Sequence, residues 1–106
     1  MESALKAIAE PRRLEILKLL AGREMPSGQI ASHFEVTRPA ISQHLQVLKS
    51  AGLVQERREG TRRYYQARPE GLAELKAFLE SFWDEGLTRL ALAAEAEQRR
   101  LESDNR

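Results

Sequence analysis

Apolar residues in the first half of the chain recur at helical spacing. Leu5, Ile8 and Ala9 place a short helix over Ser3 to Ala9. Pro11 follows, where a helix can start, since a proline in the first turn gives up no intrahelical hydrogen bond. Leu14, Ile16, Leu17 and Leu20 form the stripe of a second helix, which Gly22 ends. A third helix opens near Ser27, whose hydroxyl can cap it, and buries Ile30, Ala31 and Phe34.

The next helix has the sharpest division of faces. Thr37 is a strong N-cap, Pro39 falls within the first turn, and Ile41, Leu45 and Leu48 make one narrow apolar edge before Gly52. At 100° per residue Pro39, Gln43 and Gln46 point away from that edge, with Arg38, Ser42 and Lys49 on one flank. No Asp or Glu lies between Thr37 and Ser50. Leu53 to Arg58 and Thr61 to Ala67 read as two strands, with Val54, Tyr64 and Tyr65 as strand formers and Glu59-Gly60 at the turn. Glu-Gly is weaker turn chemistry than Asn-Gly, so a longer, mobile loop is expected there. One of Tyr64 and Tyr65 should pack inward and the other face out. From Glu70 a long helix carries Leu72, Leu75, Leu79, Phe82, Trp83, Leu87, Leu90, Ala91 and Ala94, with a kink expected at Gly86.

The 106 residues suit one domain, expected over 1–101 with a fraying tail at 102–106. Hydrophobic residues at 42% and charged residues at 31% describe a globular chain. The net charge of +1 conceals an asymmetry: residues 1–68 hold twelve Lys and Arg against seven acids, the remainder five against nine. A basic surface in the first part, with Arg57, Arg58, Arg62 and Arg63 flanking the hairpin turn, suits a polyanionic partner. The absence of cysteine excludes disulfides and thiolate metal sites. With no apolar run near the ~18 residues of a membrane span and no signal-peptide pattern, a cytoplasmic protein without membrane contact is expected.

Helix, tight turn, polar-faced helix and basic hairpin are the parts of a winged helix-turn-helix: mainly α with a two-stranded β wing. An α-helix fits the major groove of double-stranded DNA, where Arg can pair with guanine, Gln with adenine, and Ser or Thr with bases or phosphates. The expected DNA-binding residues are Thr37, Arg38, Pro39, Ser42, Gln43, His44 and Gln46 on the helix, and Arg58, Arg62 and Arg63 on the wing. For His44, buttressing the helix and touching a phosphate both stand open. The stretch Ala9-Glu10-Pro11-Arg12-Arg13-Leu14-Glu15-Ile16-Leu17 resembles a helix signature of the arsenic-repressor-type (ArsR/SmtB) family of bacterial regulators. Thr37 to Leu48 is similar to that family's recognition helix, Lys49 to Val54 continues the likeness into the wing, and Glu59 to Tyr65 carries it to the wing's end. The resemblance spans about residues 5–75. It implies a dimeric fold, a homodimer that binds a pseudo-palindromic operator and usually represses.

The family's metal sensors carry cysteine pairs, or Asp/His/Glu sets on the last helix. Here Met25-Pro26-Ser27-Gly28 stands in the third-helix region and the only histidines are His33 and His44, so no metal site and no cofactor are expected. Arg13 resembles a family arginine, and an ion pair between helices accounts for it as well as a direct contact does. Trp83 with Phe78, Phe82 and Leu87 could line a ligand pocket, but core or interface explains such a stripe more simply. The expected dimer contacts are Leu5, Ile8, Leu75, Leu79, Phe82, Trp83 and Leu90. No nucleophile–base pair, phosphate loop or carboxylate pair supports catalysis. The rival function is a winged helix serving as a protein-interaction module without DNA, against which the basic, acid-free helix face argues. Operator sequence, regulated genes and effector are not legible.

Overall fold

The computed structural model describes residues 1–104. In chain order the elements are α1 (Glu2–Ile8), α2 (Pro11–Leu19), β1 (Met25–Pro26), α3 (Ser27–Ser32), α4 (Arg38–Ser50), β2 (Val54–Glu59), β3 (Arg62–Ala67), α5 (Pro69–Ser81), a π-helical segment (Phe82–Leu87) and α6 (Thr88–Asp104). Contacts group the chain into two units, Met1–Leu75 and the residues from Lys76 onward. Among the described residues no helix is long and apolar enough to cross a membrane.

The first unit follows the expected order of a winged helix-turn-helix. Ile16, Leu20, Ile30, Ile41, Leu45, Leu48 and Leu53 are fully buried and form its centre. Leu14, expected in the α2 stripe, is exposed instead, while Phe34 is half-buried with the Arg12 guanidinium 5.1 Å from its ring centre. The α2 cap is Glu10, whose carboxylate accepts from the Arg13 amide at 2.9 Å. Arg13 itself turns back on α1, donating from Nε to the Ala7 carbonyl at 2.7 Å and from Nη2 to that of Lys6 at 3.2 Å. It thereby satisfies carbonyls that a helix end leaves open. This structural role takes the form of carbonyl capping rather than an ion pair.

Several further features depart from the sequence expectation in this unit. Ser27 is the first residue of α3 and makes no side-chain cap; Pro26, in extended conformation, precedes the helix. Met25 and Pro26 also form a third strand, pairing antiparallel with Tyr65 and Tyr64, so the sheet order is β1-β3-β2. A proline is tolerated there because β1 is an edge strand. The β2–β3 register runs from Val54↔Ala67 to Glu59↔Arg62, which leaves Gly60-Thr61 as a two-residue loop one position later than expected. Gly60 has φ +63° and no other residue of the loop is left-handed, the pattern of a type II′ hairpin turn. The connection is therefore short, not the longer loop anticipated. Tyr65 packs inward and Tyr64 is half-exposed.

The end of α4 is fixed closely. Gly52, at φ +76°, turns the chain, and Arg68 donates from its amide to the Leu53 carbonyl at 2.8 Å and from Nη1 to the Gly52 carbonyl at 3.4 Å. That same carbonyl lies so near Gly71, in the first turn of α5, that a Cβ there would come within 1.9 Å of it. Only a glycine fits this approach. Leu75, expected at a dimer interface, is 7% exposed and belongs to this core. Leu5 and Ile8 also pack partly against it.

In the second unit a π-helical segment spans Gly86, where a kink was expected. The Phe82 ring lies over Gly86, where a Cβ would come within 2.7 Å of its edge. Thr88 Oγ1 donates to the Asp84 carbonyl at 3.0 Å. α6 continues through Glu102–Asp104, part of the tail expected to fray, held by Arg100 to Asp104 at 3.2 Å and Gln98 to Glu102 at 3.4 Å. Residues 105–106 of that tail lie outside the described residues. Leu79, Phe82, Trp83 and Leu90 are exposed, Trp83 by 69%, together with Leu92 and Leu101.

Candidate nucleic-acid interface

The candidate interface is built around the start of α4. Thr37, extended, accepts a hydrogen bond at Oγ1 from the Ala40 amide at 3.3 Å, and Pro39 occupies the first turn. Burial of Ile41, Leu45 and Leu48 along one edge turns Arg38, Pro39, Ser42, Gln43 and Gln46 outward, all exposed. Val47, not anticipated, is also exposed at 42%. A shallow cleft of about 450 Å³ brings Arg38, Pro39, Ser42 and Gln46 together with Ser27 of α3 and with Arg63 and Tyr65 of the wing. A second, of about 390 Å³, is lined by Pro26 to Gln29, Arg38, Thr61, Arg62 and Arg63. Arg38 belongs to both. Its guanidinium rests on α3, with Nη2 3.0 Å from where a Gly28 Cβ would stand, so the missing side chain makes its seat.

The wing arginines differ in their surroundings more than their spacing suggests. Arg57 is clamped by Glu24 through Nη2–Oε1 at 2.7 Å and Nε–Oε2 at 3.0 Å, and reaches Glu59 at 2.9 Å. Its guanidinium also lies 4.7 Å from the centre of the Tyr64 ring. These partners hold the Glu24 carboxyl below the ordinary carboxylate range, through the hydrogen bond from Arg57, and raise Arg57 further. Arg58 and Arg63 face each other across the ladder and share the Glu56 carboxylate, at 3.5 and 3.6 Å. Glu56 also accepts a hydrogen bond from Lys49 of α4 at 2.8 Å, the chief cause holding its carboxyl below the usual range against the opposing effect of burial. Arg38 and Arg62 form no ion pair among the described residues.

Of the ten residues expected to meet DNA, the structure gathers Arg38, Pro39, Ser42, Gln46, Arg62 and Arg63 around the two clefts. Thr37 and Gln43 are exposed on the same helix, and Arg58 stands on the wing beside Glu56. His44 is the departure. It is half-buried and turned toward α2, with Nδ1 3.9 Å from Glu10 Oε2, as a buttress would be. Sequence reasoning passed over Glu56 and Glu24, since their importance depends on cross-strand and long-range partners. Among the described residues no cluster of three or more His, Asp or Glu side chains could hold a metal.

Residues 10–56 match the model of the family described as bacterial regulatory protein, arsR family. The HTH-type transcriptional regulator Rv2034 of Mycobacterium tuberculosis is 44% identical over 96 residues, covering 91% of this chain and 90% of its own. The transcriptional repressor SdpR of Bacillus subtilis is 37% identical over 86 residues, covering 81% of this chain and 96% of its own. Among solved structures, the homodimeric winged helix-turn-helix DNA-binding domain of Mb0332 from Mycobacterium bovis is 44% identical. It superposes with a TM-score of 0.65 over 79% of this chain and 78% of that one.

Proposed function

Since the chain belongs to the ArsR family of bacterial regulatory proteins, we propose that it is a sequence-specific transcriptional repressor, acting as a homodimer on a pseudo-palindromic operator. One observation carries this reading above the others. The outward face of α4 is polar, free of acids, and continuous with clefts that collect arginines from the helix and the wing. In the major groove that face would present Ser42, Gln43 and Gln46 to base edges, with Thr37 and Arg38 at the helix start near bases or phosphates. Arg62 would meet the sugar–phosphate backbone, a contact that fixes register without reading sequence, or the adjacent minor groove, whose width it would sense.

The homodimer rests on the exposed apolar residues of the second unit, Leu79, Phe82, Trp83 and Leu90, which need a cover in water. A two-fold axis lets one patch cover its own copy, and two recognition helices would then meet major grooves about 34 Å apart. The similarity to a repressor and to a homodimeric DNA-binding domain supports both halves of the proposal. The test is a salt-dependent gel shift on genomic fragments, followed by sequencing of the DNA that is retained. An inverted repeat recovered among the bound fragments is the expected result. Binding that shows no preference among fragments, or none at all, would overturn the proposal.

A further inference from the structure

The cross-strand register sets Arg58 directly opposite Arg63 on one face of the wing. Like charges in that relation repel and weaken a hairpin. Glu56 stands two residues before Arg58 on the same face, and its Oε1 lies 3.5 Å from Arg58 Nε and 3.6 Å from Arg63 Nε. Its other oxygen accepts the 2.8 Å hydrogen bond from Lys49. With its side chain only 9% exposed, this carboxylate is a counter-ion fixed within the molecule. The two kinds of partner are held differently. Lys49 sits at the distance of a short charge-assisted bond, while both arginines stand beyond it and remain about half exposed or more. A phosphate oxygen could therefore draw the arginines away while Lys49 keeps the carboxylate in place.

We propose that Glu56 is an internal competitor for DNA phosphate. It occupies Arg58 and Arg63 in the free protein and so weakens the wing's sequence-independent hold on DNA. The inference rests on the DNA-binding reading above and deepens it by assigning a role to an acid that contacts no base. A duplex of arbitrary sequence offers the wing little beyond its phosphates, so the competition bears directly on non-specific binding. Arg62 and Arg38, free of such a partner among the described residues, would make the uncontested contacts.

The experiment measures fluorescence anisotropy of a labelled scrambled duplex, and of a duplex enriched by the protein from a random pool, across a salt series. Glu56→Gln is expected to bind the scrambled duplex about three- to tenfold tighter at moderate salt. The plot of log affinity against log salt should steepen by up to ~1.8, the release of two further phosphate contacts. A gain in a variant whose melting curve matches the wild type separates this role from a structural one. In a background where Arg58 and Arg63 are both alanine, the gain from Glu56→Gln should vanish. Should Glu56→Gln fail to fold, Glu56→Asp, which withdraws the charge by one methylene, is expected to show the same changes at smaller size. Wild-type binding with affinity and slope unchanged in the variant overturns the inference alone. So does a gain that persists in full without the two arginines, or a loss in a variant shown to be folded. Failure of the wild-type protein to bind either duplex overturns the DNA-binding reading and this inference with it.

Discussion

Side chains of one type along this chain are set to different tasks by their neighbours. Arg13 caps α1, Arg57 ties the wing to Glu24, and Arg38 and Arg62 meet no carboxylate among the described residues. Replacing Arg62 by Ala should therefore flatten the salt dependence of DNA binding by about 0.9, one phosphate contact, while Arg57→Ala leaves that slope nearly unchanged. Paired anisotropy titrations in a salt series check this, and equal slopes for the two variants would show that the ion pairs do not sort the arginines. Ser42 and Gln43 make a second case. Both are exposed on α4 and remote from the core, so alanine at either should weaken binding to the selected DNA by ~1–3 kcal/mol with the melting temperature unaltered. An unchanged preference for selected over scrambled DNA would remove them from the reading face. The spacing of Ile41, Leu45 and Leu48 made this face legible in the sequence, because burial of one helix edge dictates what the other presents. The pairing of Arg57 with Glu24, 33 positions away, was not legible, since no local pattern encodes it. His44 lay between the two faces, and only the packing of α2 turned it to Glu10.

At the scale of elements, the strongly periodic segments α2, α4 and the C-terminal helices could be read from sequence, and so could the hairpin. The two-residue strand β1 could not, because it is too short to show alternation and exists only through its pairing with Tyr64 and Tyr65. The turn was misplaced by one residue for a related reason: Glu-Gly and Gly-Thr are both admissible, and the register is decided by the packing of Val54, Tyr65 and Ala67. Nor does the sequence reveal the closeness of α5 to the end of α4, where Gly71 meets the Gly52 carbonyl. Gly71→Ala must move that backbone apart, and overpacking of this kind is expected to lower stability by about 1–3 kcal/mol. Chemical denaturation measures it. A variant as stable as the wild type would mean that the junction yields freely.

For the molecule as a whole, the decisive fact is apolar surface left in water on the second unit, where Trp83 is 69% exposed. Covering a large apolar side chain contributes roughly 1.5–3 kcal/mol, enough to shift an association constant tenfold or more. Trp83→Ala and Leu79→Ala should both move the protein toward monomer in sedimentation equilibrium and weaken operator binding without altering any residue at the α4 face. A stable wild-type monomer at micromolar concentration, still bound to its operator, would contradict the proposed assembly. The stripe was evident from the sequence, but Leu75, grouped with it as an expected dimer contact, is buried in the core of the first unit. Periodicity places a residue on a face and cannot say which body covers that face, and Leu75 is claimed by the core of its own chain.

The exposed row also bears on gene dosage. If two chains must meet through it before they act on one operator, then below the dimer's dissociation constant the active species grows with the square of the chain concentration. Halving expression would then lower the concentration of competent repressor about fourfold, and a regulated promoter would answer small changes in synthesis or dilution at cell division with a disproportionate change in output. A reporter read against graded expression should show this steep response for the wild type. Fusing two chains by a flexible linker should make it nearly linear, because the meeting of the two halves would no longer depend on how many copies the cell holds.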